Sequence, residues 1–341
     1  MRDKLFKLLG LSVILVSFGV AWVLLEVDAF AKRPMEVMWE GQRVEIPSGS
    51  TLAAVADRLY SHGLIDTPRF FVWYARWHGK ARKVQAGEYA IEDGMTPQMF
   101  LDRIVSGAVF QNSLTLVEGW TFRQVMDAVR ASDSLQHTLS DLTNAQIMER
   151  VGAAGVHPEG QFFPDTYQFP STTTDLEFLK RAYVAMQEQL QQAWAQRAPD
   201  LPLASPYEAL ILASIIERET AIPDERANVA GVFVRRLKKG MKLQTDPTVI
   251  YGMGPNFDGN IRRDDLLRDT PYNTYTRKGL PPTPIAMPGK GALLAAVQPA
   301  AGDALYFVAR GDGSHYFSAT LDEHNQAVRE YQLNIPASDQ P

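Results

Sequence analysis

The run Ala213-Ser214-Ile215-Ile216-Glu217-Arg218-Glu219-Thr220 constrains this chain more than any other, because a helix there carries a carboxylate into apolar surroundings. With Leu210 as origin, a helical advance of about 100° per residue places Ala213 at about 300°, Ser214 at about 40° and Glu217 at about 340°. Glu217 then shares a face with Leu210 and two small residues, while Glu208 and Glu219, at about 160° and 180°, form the polar edge. Leu212, Ile215 and Ile216 leave the segment apolar nearly all round, the signature of a buried helix. A carboxyl group in such surroundings has its pKa raised by desolvation and can serve as a general acid near neutrality, and Ala213 and Ser214 leave room for a substrate. A structural glutamate held by an arginine or by backbone amides fits the same pattern, so the helix alone leaves both roles open.

Two polar and aromatic segments follow, Gln244 to Gly252 and Pro271 to Tyr275, and then Gly279-Leu280-Pro281-Pro282-Thr283-Pro284-Ile285. They are expected to be irregular backbone whose amides, hydroxyls and rings line a groove for sugars. Gln244, Thr245, Asp246, Thr248, Tyr251, Asn273, Thr274 and Tyr275 are the candidate substrate contacts. The same residue types also serve turns alone.

Together, "ASIIERET", "RLKKGMKLQTDPTVIYGMG", "YNTYTRKGLPPTPIAMPG" and "YFVARGDGSHYFSATLDEHN" resemble the YceG-like family of endolytic murein transglycosylases, which are membrane-anchored lytic enzymes. "LVEGWTFRQV" and "EGQFFPDTYQF" upstream fit as well, so the likeness covers nearly the whole chain. The family's catalytic glutamate is the first of the ASIIERET-type motif, which carries over to Glu217. The resemblance implies no cofactor and no metal.

From Leu8 to Leu25 no residue is charged; Arg2, Lys4 and Lys7 precede this stretch and Glu26 and Asp28 follow it. Eighteen apolar residues are enough to span a bilayer, and the leading cations favour a cytoplasmic N-terminus, although Lys32 and Arg33 weaken the asymmetry. The small-x-small sequence Ala29-Phe30-Ala31 is compatible with a cleaved signal peptide; the length of the apolar run and the two intervening acids favour an uncleaved anchor. Either way the bulk of the chain is expected outside the cytoplasm. A net charge of -5 gives no reason to expect nucleic acid, and the absence of cysteine suits an envelope protein without disulfides.

The expected fold is α+β: a cytoplasmic tail (1–7), one transmembrane helix (8–27), a linker (28–42), a small LysM-like α/β subdomain (43–112), a larger mixed α+β catalytic domain (113–336) and a disordered tail (337–341). Within the subdomain, Val44 to Tyr60 and Gly87 to Ile104 each read as strand, turn, threonine cap and helix. The module is similar to the LysM-like part of the YceG-like family, and it either binds glycan or positions the catalytic domain. Phe70, Phe71, Trp73, Tyr74 and Trp77 between the two passes suit core packing better than a sugar platform. In the larger domain helices are expected near 140–150, 175–197, 207–220 and 224–239, with a hairpin joining 304–309 to 315–318. His315 in that hairpin is a further groove candidate.

Ordinary glycoside hydrolysis needs two carboxylates. Glu219 points about 200° from Glu217 and cannot be its partner, whereas Asp246 and Asp165 remain candidates. The resemblance implies a different route: Glu217 protonates the oxygen between N-acetylmuramic acid and N-acetylglucosamine, the sugar's own 6-hydroxyl attacks, and a 1,6-anhydromuramyl end results. Gln244, Thr245, Asn273 and Tyr275 would then hold the strand. A hydrolytic muramidase or glucosaminidase on the same fold, or a non-catalytic wall scaffold, are the alternatives. The six histidines show no zinc spacing, and no nucleophile elbow or phosphate loop is present. Expected partners are glycan strands, the bilayer and, through the resemblance, peptidoglycan synthases.

Overall fold

The computed structural model describes residues 2–39 and 41–333, so the tail expected at 337–341 lies outside the described residues. The chain is mixed α+β and divides into two compact units, residues 1–112 with 168–172 and residues 113–167 with 173 onward.

The first unit opens with α1 (Arg2–Lys32), the one described helix long and apolar enough to cross a membrane. Side chains from Phe6 to Trp22 are exposed, whereas Val23 packs against the unit's core and Val27, Phe30 and Ala31 are buried in it. Residues 28–32, at the start of the expected linker, continue the helix. With no Gly or Pro between Val20 and Arg33, nothing interrupts the helix until Pro34, and the Asp28–Lys32 pair at 2.7 Å bridges its last turn. Met35 is buried too, its N–H donating to Met95 O at 2.8 Å.

Beyond α1 the unit runs β1 (Arg43–Ile46), α2 (Leu52–Ser61), α3 (Pro68–Trp77), β2 (Gly87–Ala90) and α4 (Pro97–Ser106). β1 and β2 pair antiparallel, Val44 opposite Tyr89. The hydroxyls of Thr51 and Thr96 cap α2 and α4, and Gly107 in the left-handed conformation ends α4. On α3, Phe71 and Tyr74 enter the core while Trp73 and Trp77 stay exposed, so the aromatic group splits between packing and surface.

β3 (Asn112–Thr115) leads from the first unit into the second and pairs with β4 (Thr166–Phe169), which follows α5 (Phe122–Arg130) and α6 (Asn144–Val151). Then come α7 (Asp175–Ala195), α8 (Pro206–Glu219), α9 (Arg226–Lys238), α10 (Asp246–Met253), α11 (Arg263–Leu267), α12 (Lys290–Val297), β5 (Tyr306–Ala309), β6 (His315–Ser318) and α13 (Leu321–Tyr331). β5 and β6 pair antiparallel as a hairpin.

α8 is the centre of this unit. Ser205 caps it through the Glu208 N–H, Pro206 occupies its first turn, and every residue from Ala209 to Ile216 is buried. Helices α7, α9, α10 and α12 pack against it. Each large aliphatic side chain buried in this way contributes about 1.5–3 kcal/mol.

Because α1 supplies core side chains, a chain begun at Pro34 should be less stable than one begun at Glu26. Losing the burial of Val27, Phe30 and Ala31 costs roughly 3–6 kcal/mol. Equal urea midpoints for the transition of the first unit would show that α1 is dispensable to it.

Candidate active site

Glu217 lies in the last turn of α8 with its side chain only 6% exposed. Its Oε2 accepts the N–H of Gly289 at 2.9 Å and its Oε1 faces Arg226 Nη2 at 3.2 Å. Gly289 is the N-cap of α12, so the carboxylate also sits at the positive end of that helix. Burial pushes the Glu217 pKa up; the Gly289 N–H and the Arg226 charge hold it down, Glu118 adds a rise, and the balance is upward. The acid therefore has both the desolvation a general acid requires and the arginine and backbone amide of a structural glutamate.

Arg226 is the first residue of α9 and also reaches Glu118, at 3.5 Å, bridging the two carboxylates. Two glycines make this arrangement possible. A Cβ on Gly289 would overlap the Glu118 carboxylate, and one on Gly291 would overlap Arg226 Nη1. The Gly-Lys-Gly spacing at the head of α12 is the sequence trace of this packing, and Glu118, Arg226 and Gly289 are the residues that helical periodicity could not reveal. The room expected beside Ala213 and Ser214 is taken up by protein: both are buried, and Ser214 Oγ donates to Ile211 O and accepts from Ile285 N–H at 3.0 Å.

A second group gathers around Glu219, which is half-buried and not on a polar edge. Thr245 Oγ1 donates to Glu219 Oε2 at 2.6 Å, and burial raises this carboxyl's pKa as well. Thr245, Thr248 and Thr274 are buried; the last two hydroxyls meet at 2.9 Å, and Thr245 N–H donates to Thr274 Oγ1. Tyr275 Oη donates to Asp246 Oδ1 at 2.5 Å, while exposed Gln244 accepts from Arg236 at 3.4 Å. Buried Asn273 donates to the carbonyls of Asp265, Leu266 and Arg268 and so closes a loop. His315 contacts Glu225 through Nδ1 at 2.7 Å and through its N–H at 2.8 Å. The segment from Asp246 is helical, contrary to the irregular backbone expected there, because Asp246-Pro247 opens a helical turn. Asp165 is exposed.

The third group is an open groove of about 1040 Å³ in the same unit, lined by residues including Arg123, Arg130, His157, Glu159, Arg218 and Tyr251. Arg218 follows Glu217 directly and donates to Gly119 O at 3.3 Å, so the groove borders the helix that carries the acid. Tyr251 and Tyr272 form one wall, ring centres 4.8 Å apart and edge to face. Tyr251 Oη donates to Glu159 Oε2 at 3.0 Å, and Phe122 N–H donates to Glu159 Oε1 at 2.8 Å. Burial pushes Glu159 up to about 7 despite these hydrogen bonds.

A raised pKa means that the folded chain holds the Glu159 proton more tightly than the unfolded chain. This contribution to stability is complete below pH 4.5 and is lost as pH rises to about 7. Glu159→Gln removes the titration, so its Tm relative to the parent should climb across that window, by about 3 kcal/mol of stability at most. Parallel Tm profiles of the two proteins from pH 4 to 8 would contradict it.

The YceG-like family model matches residues 44–330. An endolytic murein transglycosylase of Bacillus subtilis is 34% identical over 307 residues, covering 84% of each chain. One from Streptococcus pneumoniae is 26% identical over 92% of this chain and 62% of its own length. A crystal structure of a yceG-like protein from Listeria monocytogenes superimposes with a TM-score of 0.52 at 29% identity, over 84% of this chain and 98% of that one. Matched across both its acid-bearing helix and the segments that surround it, the chain belongs to the YceG-like family.

Proposed function

We propose that this protein is a membrane-anchored endolytic lytic transglycosylase of peptidoglycan, with Glu217 as its single acid and base. The observation that carries the reading is the buried Glu217 carboxyl, pushed above the ordinary carboxylate range yet held by two donors, in a chain whose relatives are named endolytic murein transglycosylases. Protonated Glu217 gives its proton to the glycosidic oxygen between N-acetylmuramic acid and N-acetylglucosamine as the C1–O bond breaks. The 6-hydroxyl of the muramyl residue forms the new bond to C1 and returns its proton to Glu217. No water is consumed, and the acid is regenerated with a 1,6-anhydro end on the product.

The two donors have a role in the second half of this cycle. Once Glu217 has lost its proton, the Gly289 N–H and Arg226 stabilise the anion that must act as base. Arg226 is shared with Glu118, which keeps the guanidinium from neutralising Glu217 completely. The groove beside Arg218 takes the glycan strand, Tyr251 and Tyr272 offer ring faces and edges to the sugars, and Thr245, Thr248, Asn273 and Thr274 support the wall from behind.

α1 crosses the inner membrane with the basic N-terminus on the cytoplasmic side, and the chain that follows it stands outside. Cleavage after Ala31 would remove Phe30 and Ala31, which the first unit uses in its core, and this supports an uncleaved anchor. The β1–α4 segment is read as the LysM-like module, whose role is to position the catalytic domain. An anchored endolytic enzyme is suited to ending nascent strands close to the membrane, beside the synthases that extend them.

Glu217→Gln should lower cleavage by a factor on the order of 10²–10⁴ while leaving Tm and glycan binding near those of the parent. Mass spectrometry of peptidoglycan digests should show internal fragments with anhydromuramyl ends, absent with the variant. Reducing ends would identify a hydrolase, and undiminished cleavage by the variant would remove Glu217 from the chemistry. For the parent, kcat/KM should fall on the alkaline side as Glu217 ionises, at a pH above the ordinary carboxylate range, because the first step needs the protonated acid.

A further inference from the structure

Within the first unit, α3 runs back along α1. Phe70, near the start of α3, meets Phe30 edge to face at 5.8 Å, whereas Tyr74, Trp77 and His78 at its other end border Leu24, Leu25 and Asp28. The end of α3 thus stands level with the last uncharged residues of α1. Eighteen residues from Leu8 to Leu25 rise about 27 Å as a helix, close to the roughly 30 Å hydrocarbon thickness of a bilayer. Leu25 therefore marks the outer edge of the hydrocarbon, and Trp77 lies beside that edge with 61% of its surface uncovered.

Trp77 does not stand alone. Trp73, one turn earlier, is exposed, and so are Arg76, Arg82 and Lys83 around the helix end and the loop that follows; Lys80 in that loop pairs with Asp102. Tryptophan at the level where hydrocarbon gives way to headgroups, flanked by cations that make no ion pair among the described residues, is the composition of a surface that rests on anionic lipid. Asp28, the α1 carboxylate that borders Tyr74 and Trp77, is bonded to Lys32. Core packing explains Phe71 and Tyr74 but not Trp73 and Trp77.

We propose that the C-terminal end of α3 and the loop after it rest on the bilayer that α1 crosses, with Trp77 at the headgroup boundary and Arg76, Arg82 and Lys83 on anionic headgroups. This inference builds on the reading of α1 as a membrane span. The occupant of the exposed aromatic surface is the chain's own membrane, because the surface is continuous with the lipid-facing side of α1.

The chain has no cysteine, so single cysteines carrying a nitroxide can be placed in the full-length protein, reconstituted in vesicles of phosphatidylethanolamine and phosphatidylglycerol. Three positions decide the matter: Leu15 in mid-span, His78 at the end of α3, and Asp93, near the Met35–Met95 bond beyond the far end of α1. Relaxation by oxygen and by a water-soluble nickel complex reads depth at each. The expected result is a deep label at 15, a headgroup-level label at 78 and an aqueous label at 93, with the label at 78 becoming aqueous in Trp73→Ser/Trp77→Ser. A label at 78 as aqueous as that at 93, with 15 still deep, would overturn the docking and leave the anchor standing. An aqueous label at 15 would remove anchor and docking together.

Discussion

The second unit depends on a contest over one carboxyl group. α8 carries Glu217 out of water, which favours its protonated form, while α12 and α9 bring a backbone N–H and a guanidinium to within 2.9 and 3.2 Å, which favours its anion. Burial is the larger effect, and the pKa is raised. The unbroken run of buried side chains from Ala209 to Ile216 holds the backbone in register, and the two glycines at the head of α12 allow Glu118 and Arg226 to approach. Opposed local forces thus act on one carboxyl, with desolvation raising its pKa and two donors holding it down.

The burial of Glu217 was legible in the sequence because helical periodicity is a one-dimensional signal: the angle between Leu210 and Glu217 follows from spacing alone. Its partners were not, since Arg226, Gly289 and Glu118 come from three other segments and meet only in the folded unit. The same limit explains Glu219. Its angle on α8 is as expected, but that side of the helix is covered by Thr245, so an angular position that read as polar edge is half-buried. α10 was hidden by the β-branched and aromatic run Thr248-Val249-Ile250-Tyr251, which masks the helix-opening Asp246-Pro247. Strand, turn and capped helix in the first unit were readable because Thr51 and Thr96 make their caps locally, three residues away.

Buried polar side chains shape the second unit as firmly as apolar ones do. Arg236, nearly fully buried, donates to the carbonyls of Leu305, Lys242 and Leu243 and so fastens β5 and the segment before α10 to α9. Asn273 does the same for the loop after α11. Asn273, which suggests sugar recognition in the sequence, thus holds backbone in the fold.

The helix that leaves the apolar span without a break also sets how the first unit can move. A domain on a disordered tether of fifteen residues would wander over a radius of roughly 20 Å. A domain whose core includes Val27, Phe30 and Ala31 of the anchoring helix has no such freedom. In the proposed anchored state its height above the bilayer is set by α1, and what remains is lateral diffusion, spin about the helix axis and whatever tilt the lipids impose. Under the proposed function, the encounter with a glycan polymer becomes a search in two dimensions, in which membrane thickness and fluidity act as mechanical variables.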